Sequence, residues 1–222
     1  MPLLTFATVM LLSGPGYSPK EGDPAIVYTE TLRPDRFAEY STRVLADFEK
    51  VADRINPDIT YQLEDAANSR VFAISIFADA KRRKEGAQTS EMRAARAKLE
   101  PYRAAPGHYF PAMVERLDLG RPPRIGDVVY VYTHTAKPGM FEDLRRNHLG
   151  KVAQRFKEVL PQTSRVTLAD PAHGRIIDCL FFPNQAMADK IHRSVKRAHI
   201  LEDTEPYRNG YSAERFVLAA IR

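Results

Sequence analysis

The sequence contains two copies of one pattern, and this internal repeat is the strongest constraint on how the chain folds. The segment GDPAIVYTETLRPDRF at 22–37 matches GDVVYVYTHTAKPGMF at 126–141, at a constant offset of 104 positions. After a one-residue slip the match resumes at an offset of 105, and it ends with Glu-Pro-Tyr-Arg at both 100–103 and 205–208. Agreement this regular indicates a tandem duplication.

The repeat divides the chain into three parts. We assign 1–21 to an N-terminal strand and linker, 22–125 to the first repeat and 126–222 to the second. The apolar run at 3–12 has no preceding Lys or Arg, and it is shorter than the roughly 20 residues that span a bilayer. We therefore expect a buried strand and a cytoplasmic protein, with export through a cleaved N-terminal signal as the alternative.

Each repeat has the pattern of a strand, a helix, two strands, a helix and a strand. The first strands, at 25–31 and 128–135, are rich in Val, Tyr and Thr, and the closing strands are expected at 109–117 and 215–221. The helices between them carry apolar residues near a 3.6-residue period. This order is that of the ferredoxin-like unit. Two such units, with their antiparallel sheets packed face to face and their helices outside, predict an α+β fold.

The second repeat resembles a known group of proteins. Its stretch VYTHTAKPGMFEDLRRNHLGKVAQRF, at 131–156, is similar to the NIPSNAP-like and antibiotic-biosynthesis-monooxygenase-like branches of the dimeric α/β-barrel superfamily. Their first strand runs into a Lys-Pro-Gly turn and an amphipathic helix, whereas the first repeat departs from this with Arg33-Pro34-Asp35. The resemblance implies a barrel with both halves fused in one chain. It implies little about the reaction, since the superfamily includes cofactor-free oxygenases, haem-degrading enzymes and isomerases.

Composition narrows the classes of partner. A single cysteine, Cys179, excludes an internal disulfide and a cysteine-rich zinc site. Lys and Arg outnumber Asp and Glu by 33 to 28, a mild excess. The basic stretch at 81–84 lacks the aromatic residues that stack on bases, so we interpret it as a solvated helix face. We expect no metal, no nucleic acid and no membrane partner.

The two repeats differ at one informative position of the first strand, which holds Glu30 in one copy and His134 in the other. Side chains alternate along a strand, so Glu30 shares a face with Tyr28, and His134 shares one with Tyr132. A partly buried histidine titrates near neutral pH and suits acid–base chemistry. We assign His134 as a general base and Glu30 as its counterpart in a second pocket. The structural alternative is a histidine hydrogen-bonded to a backbone carbonyl.

A second histidine lies in the helix of the second repeat. His148 takes the position that Val44 holds in the first repeat and should face the sheet. In the haem-binding proteins that the chain resembles, such a histidine ligates the iron, whereas a satisfied core histidine is the plainer interpretation. The side chains expected to line a substrate pocket are Tyr28, Tyr132, Tyr40, Asn147 and His148.

The sequence therefore predicts a small-molecule enzyme with a pocket between a sheet and its helices. Its tyrosines favour an aromatic or polycyclic ligand, and the resemblance implies a cofactor-independent monooxygenase or an isomerase, with His134 as the base. The alternatives are a ligand-binding or stress-response module without chemistry, and a haem-binding or haem-degrading protein that uses His148. Since the fused halves already supply what relatives make by dimerising, both a monomer and a homodimer remain open.

Overall fold

Eight antiparallel strands form a closed barrel in the computed structural model, which describes residues 17–55, 59–81, 84, 89–159, 163–197 and 201–221. The strands are β1 (Pro24–Thr31), β2 (Ile59–Asp65), β3 (Arg70–Ile76), β4 (His108–Leu119), β5 (Val128–Ala136), β6 (Ser164–Asp170), β7 (Arg175–Phe182) and β8 (Arg208–Ile221). The expected N-terminal strand, which is also the export-signal alternative, lies outside the described residues.

The two halves have the same strand order. Around the barrel the strand order is β1-β3-β2-β8-β5-β7-β6-β4. Each half therefore follows the ferredoxin-like order, β4-β1-β3-β2 and β8-β5-β7-β6. Antiparallel pairing of β2 with β8 and of β4 with β6 joins one half to the other. The predicted α+β fold is confirmed, and these two seams make its two sheets one continuous wall.

In the described part of the chain, the longer helical segments outside the barrel are α1 (34–55), α2 (Ser90–Ala97), α3 (141–159) and α4 (Gln185–Arg197). Both α1 and α3 contain a π-helical turn, at Tyr40–Val44 and at His148–Val152. Turns of this kind insert one extra residue into a helix and are frequent at functional sites. Among the described residues, no helix is both long and apolar enough to cross a membrane.

Apolar side chains fill the inside of the barrel and the spaces under the helices. The interior core takes residues from both halves, among them Leu63 of β2 and Leu218 of β8, each fully buried. A second cluster packs β5 and β7 against α3 and α4 through residues such as Val152 and Phe156. Strands β5 and β7 are therefore covered on both faces, which places any polar side chain there in a dry environment.

The closing strand of the second half begins earlier than the sequence indicates. The expected start was residue 215, whereas β8 begins at Arg208. The added segment, NGYSAE at 209–214, is polar and largely exposed, so it carries no apolar alternation. Its backbone nevertheless pairs with β5, for example Gly210 with Thr135. The N–H and C=O groups of β5 require hydrogen-bond partners, and the backbone of this segment supplies them independently of its side chains.

Replacing Leu63 by alanine tests how strongly the seam between the halves contributes to stability. Leu63 pairs with Leu218 across β2 and β8 in the barrel core. We expect Leu63→Ala to lower the free energy of unfolding by about 2–5 kcal/mol, since it leaves a cavity. Equilibrium unfolding in urea measures this change. The control Val217→Ala, on a side chain that is 45% exposed, should cost less than about 1 kcal/mol. Equal costs would contradict the seam's role.

Candidate functional site

Two histidines of the second half meet between the barrel and helix α3. Strand β5 points Val131 into the barrel core, so the alternate residues Tyr132 and His134 face outward, under the helix. His148, on α3, faces the sheet as the sequence predicted. The ring centroids of His134 and His148 are 4.8 Å apart, and both side chains are completely buried.

A buried carboxylate holds His148 in place. Asp178 of β7 contacts Nε2 of His148, and its other oxygen accepts hydrogen bonds from Nε of Arg165 at 2.9 Å and from Oγ1 of Thr167 at 2.6 Å. Burial alone would raise the pKa of Asp178, but the positive charge of Arg165 and the contact with His148 lower it below its usual range. Asp178 is therefore an ionised carboxylate at neutral pH.

The contact with Asp178 fixes which nitrogen of His148 carries the proton. A carboxylate only accepts hydrogen bonds, so Nε2 of His148 carries a proton, and in the neutral imidazole Nδ1 then holds the lone pair. Nδ1 is buried and has no partner among the described residues. Arg165 lies 3.0 Å from the same Nε2 but pairs with the carboxylate instead, at 2.8 Å. The result is a buried imidazole with one unused acceptor.

His134 has the opposite arrangement. Nη1 of Arg208 lies 3.5 Å from Nδ1 of His134, and since a guanidinium only donates, this nitrogen is the acceptor and Nε2 carries the proton. Nε2 is buried without a partner in the part of the chain that the structure describes. Burial, His148 and the charge of Arg208 lower the pKa of His134 to about 3. At neutral pH His134 is thus an uncharged donor.

The other predicted pocket residues of the second half lie around this cluster. Tyr132 is hydrogen-bonded through its hydroxyl to Nδ1 of His192 on α4, at 2.8 Å. Asn147 precedes His148 on α3, and its Oδ1 is buried without a partner among the described residues. Tyr211, a residue that the sequence did not indicate, stacks 6.0 Å from His134 and is 46% exposed, so the cluster lies one ring away from solvent.

The corresponding position of the first half is a closed polar network. Glu30 accepts hydrogen bonds from the hydroxyl of Tyr40 and from Nε of Arg103, each at 2.5 Å, and Arg103 also donates to Tyr28 at 3.2 Å. Burial raises the pKa of Glu30, against the opposing effect of Tyr40 and Arg103. Glu30, Tyr28 and Tyr40 therefore come together as predicted, but they hydrogen-bond to one another and to Arg103.

Four polar residues of these two sites were not among the expected site residues. Arg103 and Arg208 end the two Glu-Pro-Tyr-Arg motifs, and both are buried beside the position that distinguishes the halves. The repetition of the motif was a usable signal for them. The sequence contains no such signal for Asp178 and Arg165. Each is a single charged residue within a strand, and which residue it contacts depends on the register of β6 against β7.

The donor atoms of the second-half cluster fit a metal ion or haem poorly. His134, His148 and Asp178 offer three ligand atoms within 4.8 Å of one another. However, Arg165 and Thr167 already occupy the carboxylate, and a guanidinium in contact repels a cation. A haem iron bound through Nε2 of His148 would have to displace Asp178 from that nitrogen.

The depressed pKa of His134 makes stability depend on pH in a predictable direction. Between its ordinary pKa of 6.5 and about 3, the unfolded chain binds a proton at this ring that the folded chain does not bind. The wild type should therefore lose about 1.4 kcal/mol per pH unit through this group as the pH falls below 6.5, a loss that His134→Asn removes. Denaturant unfolding at pH 7, 6 and 5 measures both slopes. His108→Asn, on an exposed side chain, is the control, and identical slopes in the wild type and His134→Asn would overturn the assignment.

Solved structures similar to this fold include three that span the whole barrel. A candidate monooxygenase from Fusobacterium nucleatum superposes with a TM-score of 0.69 at 9% identity, covering 91% of this chain and 94% of that one. A candidate monooxygenase from Lactobacillus acidophilus gives 0.64 at 10% identity, with 90% and 96% covered. An anthrone oxidase-like protein gives 0.70 at 9% identity, with 91% and 94% covered.

Sequence comparisons add no closer relative. No protein-family model matches the sequence, and no curated protein matches it. At 9–10% identity the three structures establish the fold and not the activity. They have the same barrel across nearly their full lengths, and the strand order of each half is ferredoxin-like. The chain therefore has the dimeric α/β-barrel fold, with both halves of the barrel in a single polypeptide.

Proposed function

We propose that this protein is a monooxygenase-type enzyme that oxidises an acidic carbon of an aromatic or polycyclic small molecule. The observation that carries the proposal is the pairing of an unused buried acceptor, Nδ1 of His148, with an unused buried donor, Nε2 of His134, on rings 4.8 Å apart. Buried polar atoms in proteins are nearly always hydrogen-bonded, so two exceptions on neighbouring rings suit a ligand that uses both. The fold of two candidate monooxygenases and of an anthrone oxidase-like protein supports this chemistry.

The tautomers assign the proton-accepting role to His148. Its Nδ1 holds the lone pair, and Asp178, ionised and in contact with Nε2, stabilises the imidazolium that forms when Nδ1 takes a proton. A carboxylate has this same orienting effect on histidine bases elsewhere. In this proposal His148, and not His134 as expected from the sequence, is the base, because a ring with a pKa of about 3 accepts protons poorly.

His134 is suited to the complementary task. A neutral imidazole N–H donates a hydrogen bond to a developing negative charge without giving up its own proton. The positive charge of Arg208, 3.5 Å away on the far nitrogen, strengthens that donor and keeps the ring uncharged. The substrate's oxyanion would therefore lie at Nε2 of His134 while its acidic carbon faces Nδ1 of His148.

The proposed reaction consumes one dioxygen and no added cofactor. His148 removes one proton from a CH₂ carbon that is activated by aromatic rings or a carbonyl, and the carbanion's electrons reduce O₂ as the carbon–oxygen bond forms. The resulting peroxide takes the proton back from His148. Loss of water then breaks the O–O bond, uses the second hydrogen and leaves a carbonyl, so that CH₂ and O₂ give C=O and H₂O. A proton returned to another carbon without O₂ would instead be an isomerisation.

The first half is assigned no chemistry in this proposal. Glu30 is the counterpart of His134, but its oxygens are satisfied by Tyr40 and Arg103. A substrate at that position would have to displace a buried ion pair, and breaking such a pair costs about 3–5 kcal/mol. Because only the second half is proposed to react, a substitution at Glu30 in the first half is a control for a substitution at His134 or His148.

Oxygen consumption with anthrone and with a hydroquinone panel tests the proposal. We expect turnover by the wild type that persists in EDTA, and a fall in kcat of about 10²–10⁴-fold in His148→Asn, the loss typical of a general base. His134→Leu should lower kcat as well, because leucine has no hydrogen-bond donor for the oxyanion. Glu30→Gln is the matched control from the first half and should stay within a few-fold of the wild type.

Three outcomes would count against this function. Full activity in His148→Asn, with circular dichroism showing a folded protein, would remove the base. Loss of activity in EDTA would point to a metal at the same residues. Tight binding of aromatics with no oxygen consumption and no isomerised product would support the ligand-binding module instead.

A further inference from the structure

A cavity opens at one end of the barrel, on the other side of β5 from the histidine cluster. It encloses about 820 Å³ and is lined by the ends of strands from both halves. Ligand sites for small molecules are commonly 300–1,000 Å³. Thr133 lines this cavity, whereas its neighbour His134 points to the outer face of the strand. The two sites are therefore separated by the thickness of one strand.

Aromatic side chains form the floor of this barrel-mouth cavity, and two of them each lie under a different guanidinium group. Phe72, Phe110 and Phe216 belong to the interior core and face the opening. The guanidinium of Arg175 lies 4.0 Å from the ring centre of Phe110, and that of Arg70 lies 5.5 Å from Phe216. Flat apolar surface next to fixed positive charge is a surface for a flat, negatively charged molecule.

Arg175 is held rigidly by a buried carboxylate. Oδ2 of Asp170 accepts from Nε of Arg175 at 3.0 Å and from Nη2 at 2.6 Å, and Asp170 is completely buried. The turn that connects them relies on Gly174, whose φ of +62° suits glycine. Among the described residues, Asp170 accepts hydrogen bonds from only two nitrogens of this guanidinium, Nε and Nη2. The N–H groups of Nη1 can therefore donate to a ligand. A fixed guanidinium loses little entropy when it binds a carboxylate.

Arg70, the counterpart of Arg175 in the first half, is less available for binding a ligand. Arg70 pairs with Glu214 of β8, and the two side chains are 35% and 34% exposed. Its charge is therefore neutralised at the rim of the cavity. Hydroxyl groups complete the lining near the centre, from Thr29, Thr133 and Ser212. The cavity thus has one rigidly held guanidinium, that of Arg175, which is paired with Asp170, together with an aromatic floor and hydroxyl groups. Glu30, His108 and His173 also line it.

We propose that the barrel-mouth cavity is a second ligand site, which binds a flat aromatic carboxylate. The ring lies on the phenylalanine floor, and the carboxylate accepts from Nη1 of Arg175 and from a threonine hydroxyl. Charge-assisted hydrogen bonds to guanidinium are among the stronger polar contacts, so the carboxylate gives most of the selectivity over a neutral ring. Because the site is built from different residues, this inference does not depend on the proposed oxygenase activity.

Binding of 2-naphthoate to the full-length protein, followed by its fluorescence, tests this site. The chain contains no tryptophan, so its own emission interferes little. We expect saturable binding of 2-naphthoate, at least about tenfold weaker binding of neutral 2-naphthalenemethanol, and a similar loss for naphthoate in Arg175→Gln. Thr133→Val removes a single hydroxyl from the lining and should weaken binding less. His134→Asn and His148→Asn should bind naphthoate as the wild type does.

The histidine variants separate the two proposals. If naphthoate binding is lost in His134→Asn and kept in Arg175→Gln, the ligand occupies the histidine cluster and the barrel-mouth site is refuted. Equal affinity for naphthoate and the neutral alcohol would refute the role of Arg175. If Arg175→Gln does not fold, Arg175→Lys keeps the charge but not the planar fork, and unchanged binding in both Arg175→Lys and Thr133→Val would refute the site.

Discussion

Antiparallel pairing across the two seams, β2 with β8 and β4 with β6, is the interaction on which the rest of the structure depends. Without it, each half is a four-stranded sheet with two open edges and one apolar face exposed to water. With it, the apolar faces of both halves become one interior, and every strand has an inner and an outer surface. The two faces of strand β5 then lie in different environments, with Thr133 at the mouth of the barrel and His134 beneath α3.

The sequence predicted the outline of the fold and part of the candidate site. The repeat and the two-residue alternation place Tyr132 and His134 on one face, and the helical period turns His148 toward it; these are local rules. Asp178 and Arg165 lay beyond them, since a charge inside the runs RIIDCLFF and SRVTLAD has no local signal for its partner. Their contact depends on the register of β6 against β7, in which Thr167 lies opposite Asp178. The early start of β8 was missed for a similar reason, because cross-strand hydrogen bonds and not apolar residues make it a strand.

Charge balance accounts for the different character of the halves. In the first half Arg103 pairs with two acids, the buried Glu30 and the exposed Glu100. In the second half an imidazole replaces the acid beside Arg208, and a second arginine, Arg165, is balanced by Asp178. The carboxylate that pairs with Arg208 among the described residues is that of Glu205, which is 64% exposed and 3.6 Å away, so the buried acid that Glu30 supplies in the first half has no equivalent beside Arg208.

The π-helical turns also determine which residues of the two halves are spatial counterparts. In α1 the turn follows Tyr40, and the next residue to be buried against the sheet is Leu45, five positions on. In α3 the turn begins at His148, so Leu144 and His148 are still related by ordinary α-helical spacing, four positions apart, and both are buried. The sequence offset pairs His148 with Val44, but by helical phase its counterpart is Leu45. The same added residue, placed one turn later in the copy, has thus changed which side chain faces the barrel wall. Duplicated halves can diverge in this way without any change in length.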